Sequence, residues 1–223
     1  MTKQRGQYRG TEQRRREIID AALACFTQTG YVSATMADIR QRSGASNGSV
    51  YHHFKSKEQL AAQVYLTGIV EYQAGLTREL ARCREPREGI HALVRYHLHW
   101  VRDHADWARF LVRMRHADFM TSAESSIGVA NARFTAELGS FFRRHVTEGT
   151  LRRLPAELYI ALILGPCQEI ARHWLLAGRA VDLELTVREL GESAWKAVRA
   201  PAASDRSARV KSRSPGAGAT PKR

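Results

Sequence analysis

Apolar residues recur at steps of three and four along almost the whole chain, and they do not alternate with polar ones over any stretch worth reading as a strand. The first such face, Ile18, Ile19, Ala22, Leu23 and Phe26, predicts a helix over residues 13–29 that Gly30 stops. The dozen residues before it are polar, basic and glycine-containing, and are expected to be mobile in the free protein. Two short patterns follow, one over 36–43 and one from Asn47. A long helix is predicted over 57–83, ending ahead of Pro86, and Pro86 suits the first turn of the next, over 86–101. Further patterns cover 105–116, 125–148 (stopped by Gly149), 155–177 and 183–199, the last with Asp182 as its cap. Gly68 and Gly75 inside the long helix are best explained by close packing against a neighbour. The fold class is all-α.

The stretch TMADIRQRSGASNGSVYHHFKSK, residues 35–57, organises the rest. Thr35 is placed to cap the helix 36–43, with Asp38 three residues on as in a capping box. Gly44 supplies the left-handed residue that lets the chain reverse, and Ser46 is placed to cap the next helix. Met36, Ile39, Val50 and Phe54 face inward at helical spacing, which is the layout of a helix-turn-helix. The outer face of the second helix then carries chemistry suited to a major groove. Asn47 can pair bidentately with adenine, Ser49 can donate or accept, Gly48 lets backbone approach, and His52 can reach a base edge. Thr35, Tyr51, His53 and Lys57 are assigned to phosphate, Lys57 because it starts a helix whose amides already favour an anion. Upstream, Arg5, Arg9 and the cluster Arg14, Arg15 and Arg16 reach phosphates or a minor groove, or form a solvated charge run.

The run ASNGSVYHHFKSK at 45–57, with Phe26, Gly30 and Thr35 at matching spacing, resembles the DNA-binding domain of the TetR family of transcriptional regulators. Arg40 departs from the family pattern, standing where a small residue is usual. The resemblance implies an N-terminal three-helix domain over 1–58 and a helical ligand-binding and dimerisation domain over 59–199. It also implies that the last two helices pack against their copies in a homodimer, and that an inducer enters a cavity between helices. The chain is rich in aromatic and sulfur side chains there, and Trp107, Phe110, Met114, Phe134 and Trp174 are the candidate ligand contacts. The stripe Leu183, Val187, Leu190, Ala194 and Val198 belongs to the dimer seam or to the internal core.

Charge divides the chain in the same way. Residues 1–58 carry ten Lys or Arg against five Asp or Glu, residues 59–198 eighteen against sixteen, and residues 199–223 seven against one. A polyanion partner, double-stranded DNA, therefore meets the first segment, while the middle is nearly neutral. The Ala, Ser, Pro, Gly, Lys and Arg of 200–223 make a disordered basic tail that adds sequence-independent affinity or only solubility. No apolar run reaches the ~20 residues of a membrane span and no secretory signal precedes the first helix, so a cytoplasmic protein is expected. Cys25, Cys83 and Cys167 have no disulfide or zinc spacing, and His99 with Asp103 has helical spacing but no third ligand. No nucleophile elbow, phosphate loop or HExxH is present, so neither enzyme nor cofactor is implied. The expected function is a homodimeric repressor released from a palindrome by a small apolar or amphipathic inducer, with a ligand-independent nucleoid-type DNA binder as the alternative.

Overall fold

The structure, a computed structural model, describes residues 2–115, 117, 123–177 and 182–201, and in these residues the chain is helical throughout. The first three helices are α1 (Thr2–Gln28), α2 (Met36–Ser43) and α3 (Asn47–His53). Helix α1 begins far upstream of the expected start near residue 13, so the first dozen residues are helical instead of irregular. The apolar face begins only at Ile18, and the preceding turns are polar and free of proline. They are supported by Gln13 donating to Glu17 at 3.2 Å, Arg14 paired with Glu17 at 2.7 Å and Arg16 with Asp20 at 3.1 Å. Each such pair at three or four residues contributes a few tenths of a kcal/mol, roughly.

Helices α4 (Lys57–Ala81), α5 (Pro86–Asp103) and α6 (Ala105–Met114) follow. The two glycines of α4 are contact points, as their spacing suggested. A Cβ on Gly68 would overlap the Trp107 ring, and one on Gly75 would overlap the Tyr96 phenol. Close approach of α6 and α5 to α4 therefore requires glycine at both. One apolar cluster runs from Ile18 and Phe26 through Ile39, Val50 and Leu60 to Trp107, Phe110 and Leu175, so the core crosses residue 58 without interruption. Phe26 stacks on Phe110 at 5.6 Å, which ties α1 to α6. Arg16 adds a second tie: its guanidinium bonds Glu71 on α4 and lies 5.8 Å over the Trp107 ring.

Helices α7 (Glu124–Thr147), α8 (Ala156–Ala177) and α9 (Leu183–Val198) complete the chain, and α8 stays helical through Pro166. Tyr159, Ile163, Cys167, Ala171 and Leu175 are its buried face, each four residues on from the last. The α9 stripe turns out to face inward: Ala194 and Val198 are buried in a second apolar cluster, against which Leu183, Val187 and Leu190 pack. Gly191 sits under the His91 ring of α5, where a Cβ would not fit. The end of α9 is pinned by Arg152 N donating to Val198 O and Ala200 N donating to Thr150 O, both 2.9 Å. Residues 202–223, and with them nearly all of the basic tail, lie outside the described residues. No helix among the described residues is long and apolar enough to cross a membrane.

Candidate nucleic-acid interface

Helix α3 is only seven residues long and is held by its ends. Ser46 accepts from Ser49 N at 3.2 Å, and the amide of Phe54 closes on Val50 O at 2.9 Å. Val50 and Phe54 are 1% and 2% exposed, so they set the rotation of the helix about its axis. With that rotation Asn47, Gly48, Tyr51 and His52 are all exposed, while Ser49 and His53 are half-buried. Positions 47 and 51, like 48 and 52, are one turn apart, so Tyr51 shares a face with the base-reading candidates. The His52 and His53 rings meet at 5.3 Å. Burial, then the neighbouring His52 and Arg15 charges, hold His53 below the usual histidine range, so it is a neutral hydrogen-bonding group at pH 7.

In front of α3, the turn is built as expected. Thr35 accepts from Asp38 N at 3.2 Å and its own N–H donates to Asp38 Oδ2 at 2.9 Å, a complete capping box. Gly44 has φ +62°, a conformation that favours glycine, and its N–H donates to Gln41 O. Behind α3, Ser56 caps α4 by accepting from Gln59 N, and the Gln59 amide oxygen accepts from Lys55 N at 2.7 Å.

Two of the phosphate assignments need correction. The Thr35 hydroxyl donates to Asp38 Oδ2 at 2.7 Å, so its proton is held within the capping box beside a carboxylate. The Lys57 ammonium donates to Tyr31 O, Val32 O and Ala34 O, each at 3.0 Å, and lies 4.8 Å over the Tyr31 ring. An ammonium has three protons, so Lys57 has no donor left for phosphate in this arrangement. It clamps the loop between α1 and α2 onto the start of α4. Two other cations stand free around α3. Arg40 on α2 and Lys55 just after α3 are exposed, and neither side chain makes a hydrogen bond or ion pair among the described residues. By contrast Arg14 is paired with Glu17, Arg16 with Asp20 and Glu71, and Arg42 donates to Gln28 at 2.9 Å. Composition shows all of these as equal charges; which one has a carboxylate or carbonyl in reach is set by the fold.

The five ligand candidates do not converge on one chamber. Trp107, Phe110, Met114 and Trp174 belong to or pack on the first cluster, whereas Phe134 is buried in the second. Phe110 and Met114 line a cleft of about 40 Å³ together with Phe26, Tyr31 and Arg113, at the junction of α1 with α6. That is room for about one water, whose share of liquid volume is ~30 Å³. Among the described residues no group of three His, Cys, Asp or Glu is placed to hold a metal ion. Cys25 and Cys167 are buried free thiols, and Cys83 is half-buried.

A capped, seven-residue helix presented on a glycine turn and rigidly seated on a helical body defines a helix-turn-helix DNA-binding protein. Comparison with known proteins carries this further. Residues 18–64 match the family described as bacterial regulatory proteins, tetR family, and residues 65–200 match the tetracyclin repressor-like C-terminal domain. The chain belongs to the TetR family and is a DNA-binding transcriptional regulator. The transcriptional repressor KstR2 of Rhodococcus jostii is 29% identical over 194 residues, 85% of this chain and 80% of that protein. The transcriptional activator FasR of Mycolicibacterium smegmatis is 23% identical over 86% of this chain and 85% of its own length. Among solved structures, FadR of Bacillus subtilis in complex with stearoyl-CoA superposes with a TM-score of 0.69 at 17% identity, covering 80% of this chain and 96% of that one. That likeness is one of fold.

Proposed function

We propose that the protein is a homodimeric repressor that reads a palindromic operator through Asn47, Gly48, Ser49 and His52 and leaves it when a small apolar or amphipathic ligand binds the helical body. The observation that carries the reading is α3 itself, whose polar face is exposed while Val50 and Phe54 anchor its back. Tyr51, His53, Arg40 and Lys55 flank that face and supply backbone contacts. The kinship with KstR2, named a repressor, supports the sign of regulation, and the stearoyl-CoA bound to the FadR structure supports an amphipathic ligand.

Dimerisation through the last two helices is supported by apolar surface left on their outer sides. Leu158 and Leu176 on α8 are each 47% exposed and lie 18 residues apart, five whole turns, so they share one face; Leu185 on α9 is 44% exposed. Because Leu190 packs inward, charge belongs at Leu176 and Leu158 instead: Leu158→Glu with Leu176→Glu yields a folded monomer by light scattering, and an unchanged dimer rejects this seam. The function as a whole is tested by selecting bound fragments from the source genome. Recovery of one palindromic site is expected; indiscriminate coating of all fragments would favour a nucleoid-type binder.

A further inference from the structure

The helical body has two apolar clusters, and a polar pair lies at their seam. Tyr72 and Tyr96 pack against both clusters. The Tyr72 hydroxyl is 2.6 Å from His97 Nδ1, and its ring is 4.9 Å from that of Trp100 and 6.2 Å from that of Tyr96. His97 is 6% exposed, and its second nitrogen, Nε2, is buried without a hydrogen bond. One residue along α4 from Tyr72, Gln73 is just as buried, but it donates to Asn131 Oδ1 at 2.8 Å. The other deeply buried histidine with an unbonded Nε2, His145, holds the Glu148 carboxylate at 2.7 Å, next to the end of α7, and so has a local structural task. His97 has no charged partner. A buried polar atom left unbonded offsets much of what its surroundings contribute, and a phenylalanine would fill the same space without that loss.

We propose that Tyr72 and His97 are the polar anchor of a binding site for an apolar molecule carrying a neutral carbonyl, which accepts a hydrogen bond from His97 Nε2. The inference rests on the reading of this regulator as ligand-responsive and names the site and the ligand class. Burial raises the Tyr72 phenol well above its ordinary range, so it keeps its proton and donates it to Nδ1. The single proton of the neutral imidazole then sits on Nε2. Burial also pushes His97 down to about 4, the Cys167 backbone opposing this less strongly, so the ring is neutral at pH 7. A neutral donor among aromatic rings suits a neutral acceptor, because a carboxylate would be stripped of water with no countercharge to meet it. The apolar part of the ligand lies along the seam against Tyr96 and Trp100. Gly75 leaves the space into which the Tyr96 phenol folds, and rotation of that ring away from Gly75 makes room for it.

The test compares the full chain with the double variant Tyr72→Phe and Tyr72-partner His97→Phe, which removes both polar groups and keeps the volume. Three probes of similar chain length are titrated against tryptophan fluorescence: lauroyl-CoA, 2-tridecanone and laurate. Binding of the thioester or the ketone to the wild-type chain, weakened about tenfold in the double variant, is expected. A ketone that binds as well as the thioester assigns recognition to the carbonyl itself, and a preference for the thioester assigns the difference to its CoA portion. The ligand-free melting temperature of the double variant should equal or exceed that of the wild type, since no buried polar group is left unbonded. Failure of all three probes to bind, a preference for laurate, equal binding by both proteins, or a melting temperature lowered by several degrees would each overturn the proposal. Should the double variant not fold, His97→Gln and His97→Met repeat the comparison at one position, with and without a donor, and equal probe binding by the two counts against it. DNA binding measured on the same samples separates the two readings: a wild-type chain that binds no DNA rejects the regulator mechanism, whereas the anchor is judged by the probes.

Discussion

The DNA-reading head and the seam around His97 are both polar, but they satisfy their polar groups in opposite ways. In the head, the bonds are local: Thr35 with Asp38, Ser46 with Ser49 and Ser56 with Gln59 are each three residues apart, and the side chains that remain are exposed. In the helical body the partners are distant in sequence: Tyr72 meets His97, Gln73 meets Asn131, and Arg16 meets Glu71. Local caps leave the reading surface free for a partner in water. Distant pairs inside a core must be completed by the fold, and an uncompleted one, His97, points to something the chain lacks on its own.

That contrast can be broken most strongly with acid. His97 has a folded pKa of about 4 against 6.5 when unfolded, so between these values the unfolded chain binds the proton and the folded one does not. Stability is therefore full above pH 6.5 and falls as pH drops towards 4, by about 1.4 kcal/mol per pH unit and about 3 kcal/mol in all. Urea unfolding of wild type and the Tyr72→Phe/His97→Phe variant across this range should show the slope only in the former. Next in size is the clamp: Lys57→Met removes three carbonyl bonds and should lower stability by about 2 kcal/mol, read as a lower urea midpoint. Its effect on DNA affinity should be mostly independent of salt, unlike the loss of a phosphate contact.

The head itself is probed by Asn47→Ala, which should cost about 1 to 3 kcal/mol on the selected operator, leave random duplex binding nearly unchanged and leave the melting temperature intact. Equal losses on both duplexes would place Asn47 on the backbone instead. Arg40→Ala gives a smaller effect of another kind: the dependence of log affinity on log salt should flatten by about 0.9 for each phosphate it neutralises. The smallest effect is at Asp38. Hydrogen bonds from the Thr35 side chain and backbone hold its carboxyl below the usual range, so the cap contributes fully above pH 4 and is lost as pH falls further. Asp38→Asn should flatten the stability profile only in that acid range.

Much of the fold was legible because its signals are short-range. Helix α2 spans the expected residues, α3 starts at the expected Asn47, and the ends of α4 to α9 lie within two residues of the sequence reading. Gly44 and Asp182 do what their positions implied, as a left-handed turn and an N-cap. Helix α1 was under-read because its upstream turns have no apolar face, and periodicity was the signal being followed. Thr35 and Lys57 were given to phosphate because both sit at helix starts. A sequence does not say that a carboxylate already holds the one hydroxyl and that three carbonyls hold the other group's protons.

The sequence by itself determined the order of helices, the caps that separate them, and the identity of the face that α3 turns outward, since each depends on residues no more than a turn or so apart. The tertiary structure alone decided which charges are spent and which are free, that Trp107 rests on Gly68, that the α9 stripe faces α5 and its own core, and that His97 is buried with one nitrogen unmet. The physical reason is reach. A capping bond or a helical step is fixed by backbone geometry over three or four residues, whereas a buried contact between α4 and α5 or α1 and α6 depends on how whole helices pack, and the same residue types are compatible with several such packings.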